Sequence, residues 1–90
     1  MSGKHASVKD GTVYVNGKKF IKPAAMSSMS SAERSYFVLG NLAAAYQNGH
    51  SKQQATASGG TLYLGPQNIM TPVNGDPSAE ELVAQLNKIK

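Results

Sequence analysis

A thirteen-residue motif occurs twice in this 90-residue chain and decides its fold. Residues 11–23 read GTVYVNGKKFIKP, and residues 60–72 read GTLYLGPQNIMTP. Gly, Thr, Tyr and Pro stand at the same four places in both copies. A supersecondary unit repeated within a chain indicates the architecture before any single residue is considered. The first copy also carries a strong hairpin signal, because Asn16 and Gly17 separate two runs rich in β-branched and aromatic residues.

A two-residue turn fixes which residues of the first hairpin face each other, and it pairs Val13 with Phe20 and Thr12 with Ile21. Alternation along the strands places Val13, Val15 and Phe20 on the core side, with Tyr14, Lys19 and Ile21 on the outer side. In the second copy the corresponding core residues are Leu62, Leu64 and Ile69. The turn of that copy, Gly65-Pro66, fits either a type II′ turn or a wider loop reaching Asn68, so two registers stay open there.

Each hairpin is followed by a predicted helix. Ser30 with Glu33, and Ser78 with Glu81, have the spacing of capping boxes, in which serine and glutamate side chains accept hydrogen bonds from free N–H groups. These signals predict helices from about Ser31 to Gln47 and from about Ala79 to Ile89. The chain is therefore predicted to be an α+β fold, a tandem ββα-ββα pseudo-repeat with antiparallel hairpins packed on two helices.

The predicted organisation is one domain made of two units, at residues 11–47 and 60–90, joined by a polar loop at 48–59. Residues 1–10 are predicted to form a flexible basic arm. Fused copies of one unit imitate a symmetric dimer, so a pseudo-twofold axis is expected between them. A small chain buries a limited share of its surface, and with no cysteine for disulfides or thiolate metal sites, oligomerisation is the remaining support.

The two predicted helices differ in character. The second is apolar along one side, whereas the first is apolar almost all round between residues 36 and 46, interrupted by Gly40 and Asn41. Either this helix is the central helix of the fold, or part of it meets another chain. The predicted protein interface consists of Tyr36, Phe37, Leu39, Leu42 and Tyr46.

Positive charge is concentrated near the start of the chain. The net charge of +4 lies entirely within residues 1–22, which hold five lysines against Asp10. Such a segment suits nucleic acid, and a neighbouring tyrosine can stack on an unpaired base. The predicted nucleic-acid-binding residues are Lys4, Lys9, Tyr14, Lys18, Lys19 and Lys22. The alternative is that the lysines keep an exposed hairpin tip soluble and block edge-to-edge strand pairing.

The sequence lacks the combinations of residues that the common classes of catalysis require. His5 and His50 are the only histidines, both in polar segments without partners at metal-ligand spacing. The five acids are accounted for by helix starts and turns, and the serines lack a base on a structured element. We therefore expect no enzyme, no metal, no cofactor and no small-molecule substrate.

The sequence favours a small non-enzymatic assembly protein that acts through contacts with other protein subunits, in a homo- or hetero-oligomer. Only 16 % of its residues are charged, against about 25 % on average, and this composition favours a component of a phage or other virion. The alternative is a small basic nucleic-acid-binding or host-regulating protein, including an inhibitor that adds an edge strand. The sequence has no signal-peptide or membrane-spanning run, which predicts the cytoplasm, or the virion, and no membrane partner.

Overall fold

The computed structural model describes residues 5–90, in which one order of elements occurs twice. The first unit consists of β1 (Ala6–Lys9), β2 (Thr12–Val15), β3 (Lys18–Ile21) and α1 (Ser31–Gln47). The second consists of β4 (Ala55–Ser58), β5 (Thr61–Leu64), β6 (Gln67–Met70) and α2 (Ala79–Ile89). The predicted α+β class and the succession of hairpin and helix are confirmed, and both helices have the predicted bounds.

Each unit contains one strand more than the sequence analysis predicts. β1 pairs antiparallel with β2, and β4 pairs antiparallel with β5. Residues 6–9 are therefore not a flexible arm and residues 55–58 are not loop, whereas residues 1–4 lie outside the described part of the chain. The turns Asp10-Gly11 and Gly59-Gly60 have positive φ at both central residues, as type I′ hairpins require.

The strands form two separate three-stranded sheets, with the orders β1-β2-β3 and β4-β5-β6. α1 packs on β1 and β2 of its own unit and on β6 of the other, while α2 packs on β4 and β5 and on β3 of the other. This reciprocal exchange is the arrangement that a pseudo-twofold axis produces. The molecule measures 33 × 29 × 19 Å, and its shortest dimension fits one layer of helix on one layer of sheet.

A β-bulge occurs at the same place in both third strands. In the first unit the register shifts between Tyr14↔Lys19 and Val13↔Ile21, which leaves Phe20 as the extra residue. The second unit has the same shift. A bulge turns two successive side chains to one side. The side chains buried in this way are Phe20, Ile21, Ile69 and Met70. The predicted Val13–Phe20 and Thr12–Ile21 pairs, and the outward position of Ile21, are therefore wrong.

The Gly65-Pro66 turn is a two-residue turn, because Leu64 pairs with Gln67. Gly65 has φ 56°, and proline fixes a negative φ at the next position, which is the combination that a type II′ turn needs. A Cβ at Gly65 would also collide with the side chain of Gln53.

One hydrophobic core is shared by both units. The six residues predicted to face it, Val13, Val15, Phe20, Leu62, Leu64 and Ile69, are all buried. Both capping boxes are present, with Ser30 and Ser78 as the N-caps. Among residues 5–90, no helix has the length and apolar character needed to cross a bilayer.

Candidate functional site

A buried ion pair joins α1 to the segment that precedes α2. Arg34 Nη1 lies 2.8 Å from Asp76 Oδ2, with the two side chains 7 % and 0 % exposed. Arg34 also donates to the carbonyl oxygens of Ala24 and Thr71, at 2.7 and 3.4 Å. Asp76 accepts from the backbone N–H groups of Ala24 and Val73, at 2.7 and 2.9 Å. The pair thus ties the β3–α1 connection to the β6–α2 connection.

The surroundings of Asp76 favour its ionised form. Burial alone would raise the pKa of its carboxyl, but the hydrogen bonds from Ala24 and Val73 and the guanidinium of Arg34 together lower that pKa below its usual value. Since the Arg34 guanidinium is occupied by Asp76 and two carbonyl oxygens, we assign the pair a structural role.

An apolar surface lies on the exposed side of α1. Phe37 is 65 % exposed, Tyr36 49 % and Met26 40 %, and these are the large apolar side chains most open to solvent among the described residues. Met26 and Met29 form a small hairpin of their own, with mutual backbone hydrogen bonds of 2.9 and 3.2 Å. We call Met26, Met29, Tyr36 and Phe37 the α1 surface.

A groove of about 420 Å³ runs between α1, β6 and the Met26–Met29 hairpin. Phe37 stands on its wall and also borders a second recess of about 350 Å³, with Tyr36 and Glu33. The other apolar residues that line the groove are Val38, Ile69, Met70 and Val73. Three of its polar side chains are already engaged, since Arg34 holds Asp76, the Asn41 side chain donates to the carbonyl oxygen of Ile69 at 2.9 Å, and the Thr71 hydroxyl bonds to that of Thr61. Asn68 also lines the groove.

The structure separates the residues of the predicted protein interface. Tyr36 and Phe37 are exposed, but Leu39 and Leu42 are only 3 % and 0 % exposed. The prediction that Leu39 and Leu42 meet a partner is wrong, because the unpredicted strand β1 and the exchanged strand β6 help to cover that side of α1. Tyr46 is half-buried and stacks on His5, with ring centroids 4.7 Å apart.

The predicted nucleic-acid-binding residues also fall in different places. Lys9, Lys18, Lys19 and Lys22 are exposed and Tyr14 is half-buried, while Lys4 lies outside the described residues. Lys19 faces Tyr14 on the outer side of the first sheet. Lys18 instead pairs with the buried Val15, so the register places it on the opposite side of the sheet, at its edge. The two neighbouring lysines therefore do not form one basic tip.

Apart from the buried Asp76, the acids and histidines of the described residues lie at helix starts, in turns or at the surface. Hydrogen bonds from Ser30 and Ser78 lower the pKa of Glu33 and Glu81, respectively. His50 Nδ1 lies 2.7 Å from the side-chain oxygen of Gln53. Within residues 5–90 there is no group of three His, Cys, Asp or Glu residues suited to a metal ion.

Sequence reasoning missed both the Arg34–Asp76 pair and the contribution of Met26 and Met29. A signal for Arg34 was present, since it lies one helical turn before Val38, on the side that faces the core. Asp76 gave no such signal, because its partners lie up to 52 residues away in the chain.

No protein-family model matches this chain, and neither the curated proteins nor the solved structures contain a significant match to it.

Proposed function

We propose that this protein is a non-enzymatic assembly subunit that associates with a second copy of itself through the α1 surface. The observation that carries the proposal is the exposure of two adjacent aromatic side chains, Tyr36 and Phe37, beside an apolar groove. Aromatic residues and methionine are enriched in protein interfaces. An apolar patch on a small soluble protein often marks such a contact.

The α1 surface combines a projecting side chain with a recess. Phe37 projects at the wall of the groove whose floor includes Val38 and Ile69. A twofold interface requires that one patch be complementary to itself, and a knob next to a hole meets that requirement. Methionine side chains at Met26 and Met29 adapt to an incoming aromatic ring more easily than branched side chains do.

The second unit indicates that the scaffold does not need these aromatics. The helix starts correspond at a distance of 48 residues, from Ser30 to Ser78, so Tyr36 and Phe37 correspond to Ala84 and Gln85. Gln85 donates to the carbonyl oxygen of Lys19 in β3, at 3.1 Å, and so contacts the third strand that α2 covers. At the corresponding place in α1 a large apolar ring stands in solvent.

A small-molecule site is the competing interpretation of the groove, since its volume lies within the range of ligand pockets. Ligand pockets usually present a few convergent polar groups that orient the ligand. Here Arg34 and Asn41 already bond to the protein itself. The groove therefore suits an apolar side chain of a protein better than a polar metabolite.

The proposal is tested by the oligomeric state of the double variant Tyr36→Ala with Phe37→Gln, which installs the residues of α2 at the corresponding positions of α1. We expect the wild-type protein to show reversible self-association in sedimentation equilibrium and the variant to remain a monomer. The variant should keep its helix content, because both side chains are exposed. Its unfolding midpoint should equal that of the wild type at concentrations too low for association, and only the wild-type midpoint should rise with concentration.

A suitable control is Tyr63→Ala, which removes an aromatic side chain from the outer side of the second sheet. The control should self-associate like the wild type. A wild-type protein that stays monomeric up to millimolar concentration, or a double variant that associates as strongly as the wild type, contradicts the proposal. Membership of a phage or virion rests on composition and stays a prediction, to be checked by adding candidate capsid or tail proteins.

A further inference from the structure

The outer side of the first sheet carries an array of lysines around a tyrosine. The pairs Ser7↔Tyr14 and Tyr14↔Lys19 form one row across the three strands, and Lys9↔Thr12 begins the next row. Lys22 completes that second row, because it follows Ile21, which faces Val13 across the bulge. We call Ser7, Lys9, Thr12, Tyr14, Lys19 and Lys22 the basic face.

The dimensions of the basic face follow from sheet geometry. Neighbouring strands lie about 4.8 Å apart, so β1 and β3 are about 10 Å apart, and successive residues on one side of a strand lie about 7 Å apart. Lys9, Lys19 and Lys22 thus occupy three corners of a rectangle, which the bulge between Lys19 and Lys22 twists. Tyr14 lies on its central strand, half-buried between Ser7 and Lys19. Asp10, in the adjoining turn, is the one acid among residues 1–32.

The second sheet has the same face without the charge. Strand positions correspond at a distance of 49 residues, from Tyr14 to Tyr63, and Tyr63 also lies between two outer neighbours, Thr56 and Asn68. The counterparts of Lys9, Lys19 and Lys22 are Ser58, Asn68 and Thr71. The hydrogen bond of 2.8 Å between the Thr61 and Thr71 hydroxyls supports the placement of Thr12 and Lys22 in one row. Folding therefore does not require these lysines.

We propose that the basic face binds single-stranded nucleic acid, with the three lysines contacting phosphates and Tyr14 stacking on a base. Charge complementarity is the main argument, because three lysines on a face that contains no acidic residue attract a polyanion. The central tyrosine adds the stacking platform that sheet surfaces offer to unpaired bases. A role in binding nucleic acid is independent of self-association through the α1 surface.

The make-up of the basic face favours nucleic acid over a membrane or an acidic protein. Stable binding to an anionic bilayer surface combines basic residues with apolar side chains inserted below the headgroups, and the basic face contains only Ser, Thr, Lys and Tyr. Acidic protein partners are usually matched by arginine forks, which are missing from the face. Without arginine, the basic face has few groups that could read the base edges of double-stranded DNA. Stacking of Tyr14 on an unpaired base does not require arginine.

The test is fluorescence anisotropy of a short labelled single-stranded oligonucleotide over a range of salt concentrations. With three phosphate contacts, the wild type should show a slope of about −2 in log K against log salt, or a loss of roughly 20-fold between 50 and 200 mM salt. The variant Lys9→Ser, Lys19→Asn, Lys22→Thr, which copies the second sheet, should have a slope near zero. Tyr14→Ala should weaken binding about 10-fold and leave the slope unchanged.

A charge-matched control is the variant Lys18→Gln, Lys52→Gln, Lys88→Gln, which removes three exposed lysines that lie off the basic face. It should bind nearly as tightly as the wild type. Adding Ser58→Lys, Asn68→Lys and Thr71→Lys to the neutral first-sheet variant should restore a slope near −2.

Equal losses of oligonucleotide affinity in the two triple-lysine variants overturn the proposal, because binding would then depend only on the net charge of the protein. It is equally overturned by tighter binding to a duplex of the same sequence, to polyglutamate or to phosphatidylserine vesicles, or by no retention of the oligonucleotide at low salt.

Discussion

The two units share an order of elements, turns, bulges and capping boxes, yet they present different surfaces. The first unit carries three lysines on the outer side of its sheet and two exposed aromatics on its helix. The second carries no charged residue in residues 55–70 and has Ala84 and Gln85 in place of the aromatics. One copy is thus a built-in reference for the other, since it indicates which residues the scaffold needs and which are additional.

The core differs between the units as well. Counting from the N-caps, Arg34 of α1 corresponds to Leu82 of α2, and both are buried. Leu82 belongs to the shared apolar core, whereas Arg34 holds Asp76. At this position the second unit thus has an apolar core contact, whereas the first unit has an ion pair that connects the two units. This asymmetry can be tested directly.

The largest effect is expected for Arg34→Ala, which leaves the Asp76 carboxylate buried without its partner. Loss of one member of a buried pair costs about 3–5 kcal/mol in the free energy of unfolding. The matching change in the second unit, Leu82→Ala, should cost about 2–5 kcal/mol through the cavity it creates. Urea unfolding followed by circular dichroism measures both, with the exposed Lys52→Ala as a control within about 0.5 kcal/mol of wild type.

A double variant keeps this test informative where Arg34→Ala fails to fold. Arg34→Leu with Asp76→Asn removes both charges, so it should be more stable than Arg34→Ala alone. If the double variant is instead the less stable of the two, an uncompensated buried charge is not the source of the loss.

Acid should destabilise the protein partly through Asp76. Because the pKa of Asp76 is lowered in the folded state, the unfolded chain binds a proton first as the pH falls. The stabilisation is present above about pH 4, the usual range of an aspartate, and is lost as the pH falls towards the folded pKa. Glu33 and Glu81, whose pKa values are also lowered, add to this loss in the same direction.

The part due to Asp76 is isolated by comparison with Asp76→Asn. Urea unfolding at pH 7 and pH 3 should show a smaller acid-induced loss in that variant than in the wild type. An identical pH dependence in the two proteins would mean that the carboxylate of Asp76 does not stabilise the fold.

The two capping boxes should contribute equally. The serine hydroxyl accepts from the glutamate N–H at 3.1 Å in both boxes, and the return bonds measure 2.9 and 3.0 Å. Ser30→Ala and Ser78→Ala should each lower the free energy of unfolding by about 1 kcal/mol. Ser28→Ala, in the exposed Met26–Met29 turn, is the control. A difference of more than about 1 kcal/mol between the two cap variants would show that the units are not energetically equivalent.

The smallest effect concerns the hairpin turns. The Asn16 side chain donates to the carbonyl oxygens of Ile89 and Lys90, both at 3.2 Å, and so caps the C-terminal end of α2. Asn16→Gly installs the residue that stands at Gly65 of the second unit. It should cost less than about 1 kcal/mol, because glycine tolerates the positive φ at this position. A more stable variant in thermal unfolding would contradict a capping role for Asn16.

Most of the scaffold could be predicted from local patterns. The Asn16-Gly17 turn, the alternation of Val13 and Val15, and both capping boxes depend on residues close in sequence, and the structure confirms each of them. β1 and β4 were missed because ASVK and ATAS have few of the large β-branched or aromatic residues that mark a strand. The signal that remained was the Asp10-Gly11 and Gly59-Gly60 turns directly after them.

The surfaces could be predicted only in part. The lysines and aromatics were visible in the sequence, but their grouping depends on the register. Because of the bulge at Phe20, Lys22 lies on the same side of the sheet as Lys19. Lys18 pairs with Val15 and therefore lies on the opposite side. Likewise, the burial of Leu39 and Leu42 depends on which strands cover α1, and one of these, β6, belongs to the other unit.

The exchange of third strands has a consequence for how the chain folds. Because α1 needs β6 and α2 needs β3, neither half contains all the strands that its own helix covers. We expect the two halves to gain and lose their structure in one cooperative step, with similar hydrogen-exchange protection in both sheets. A chain cleaved between the units, near Lys52, should therefore yield two fragments that are unfolded when separate and recover the native structure when mixed.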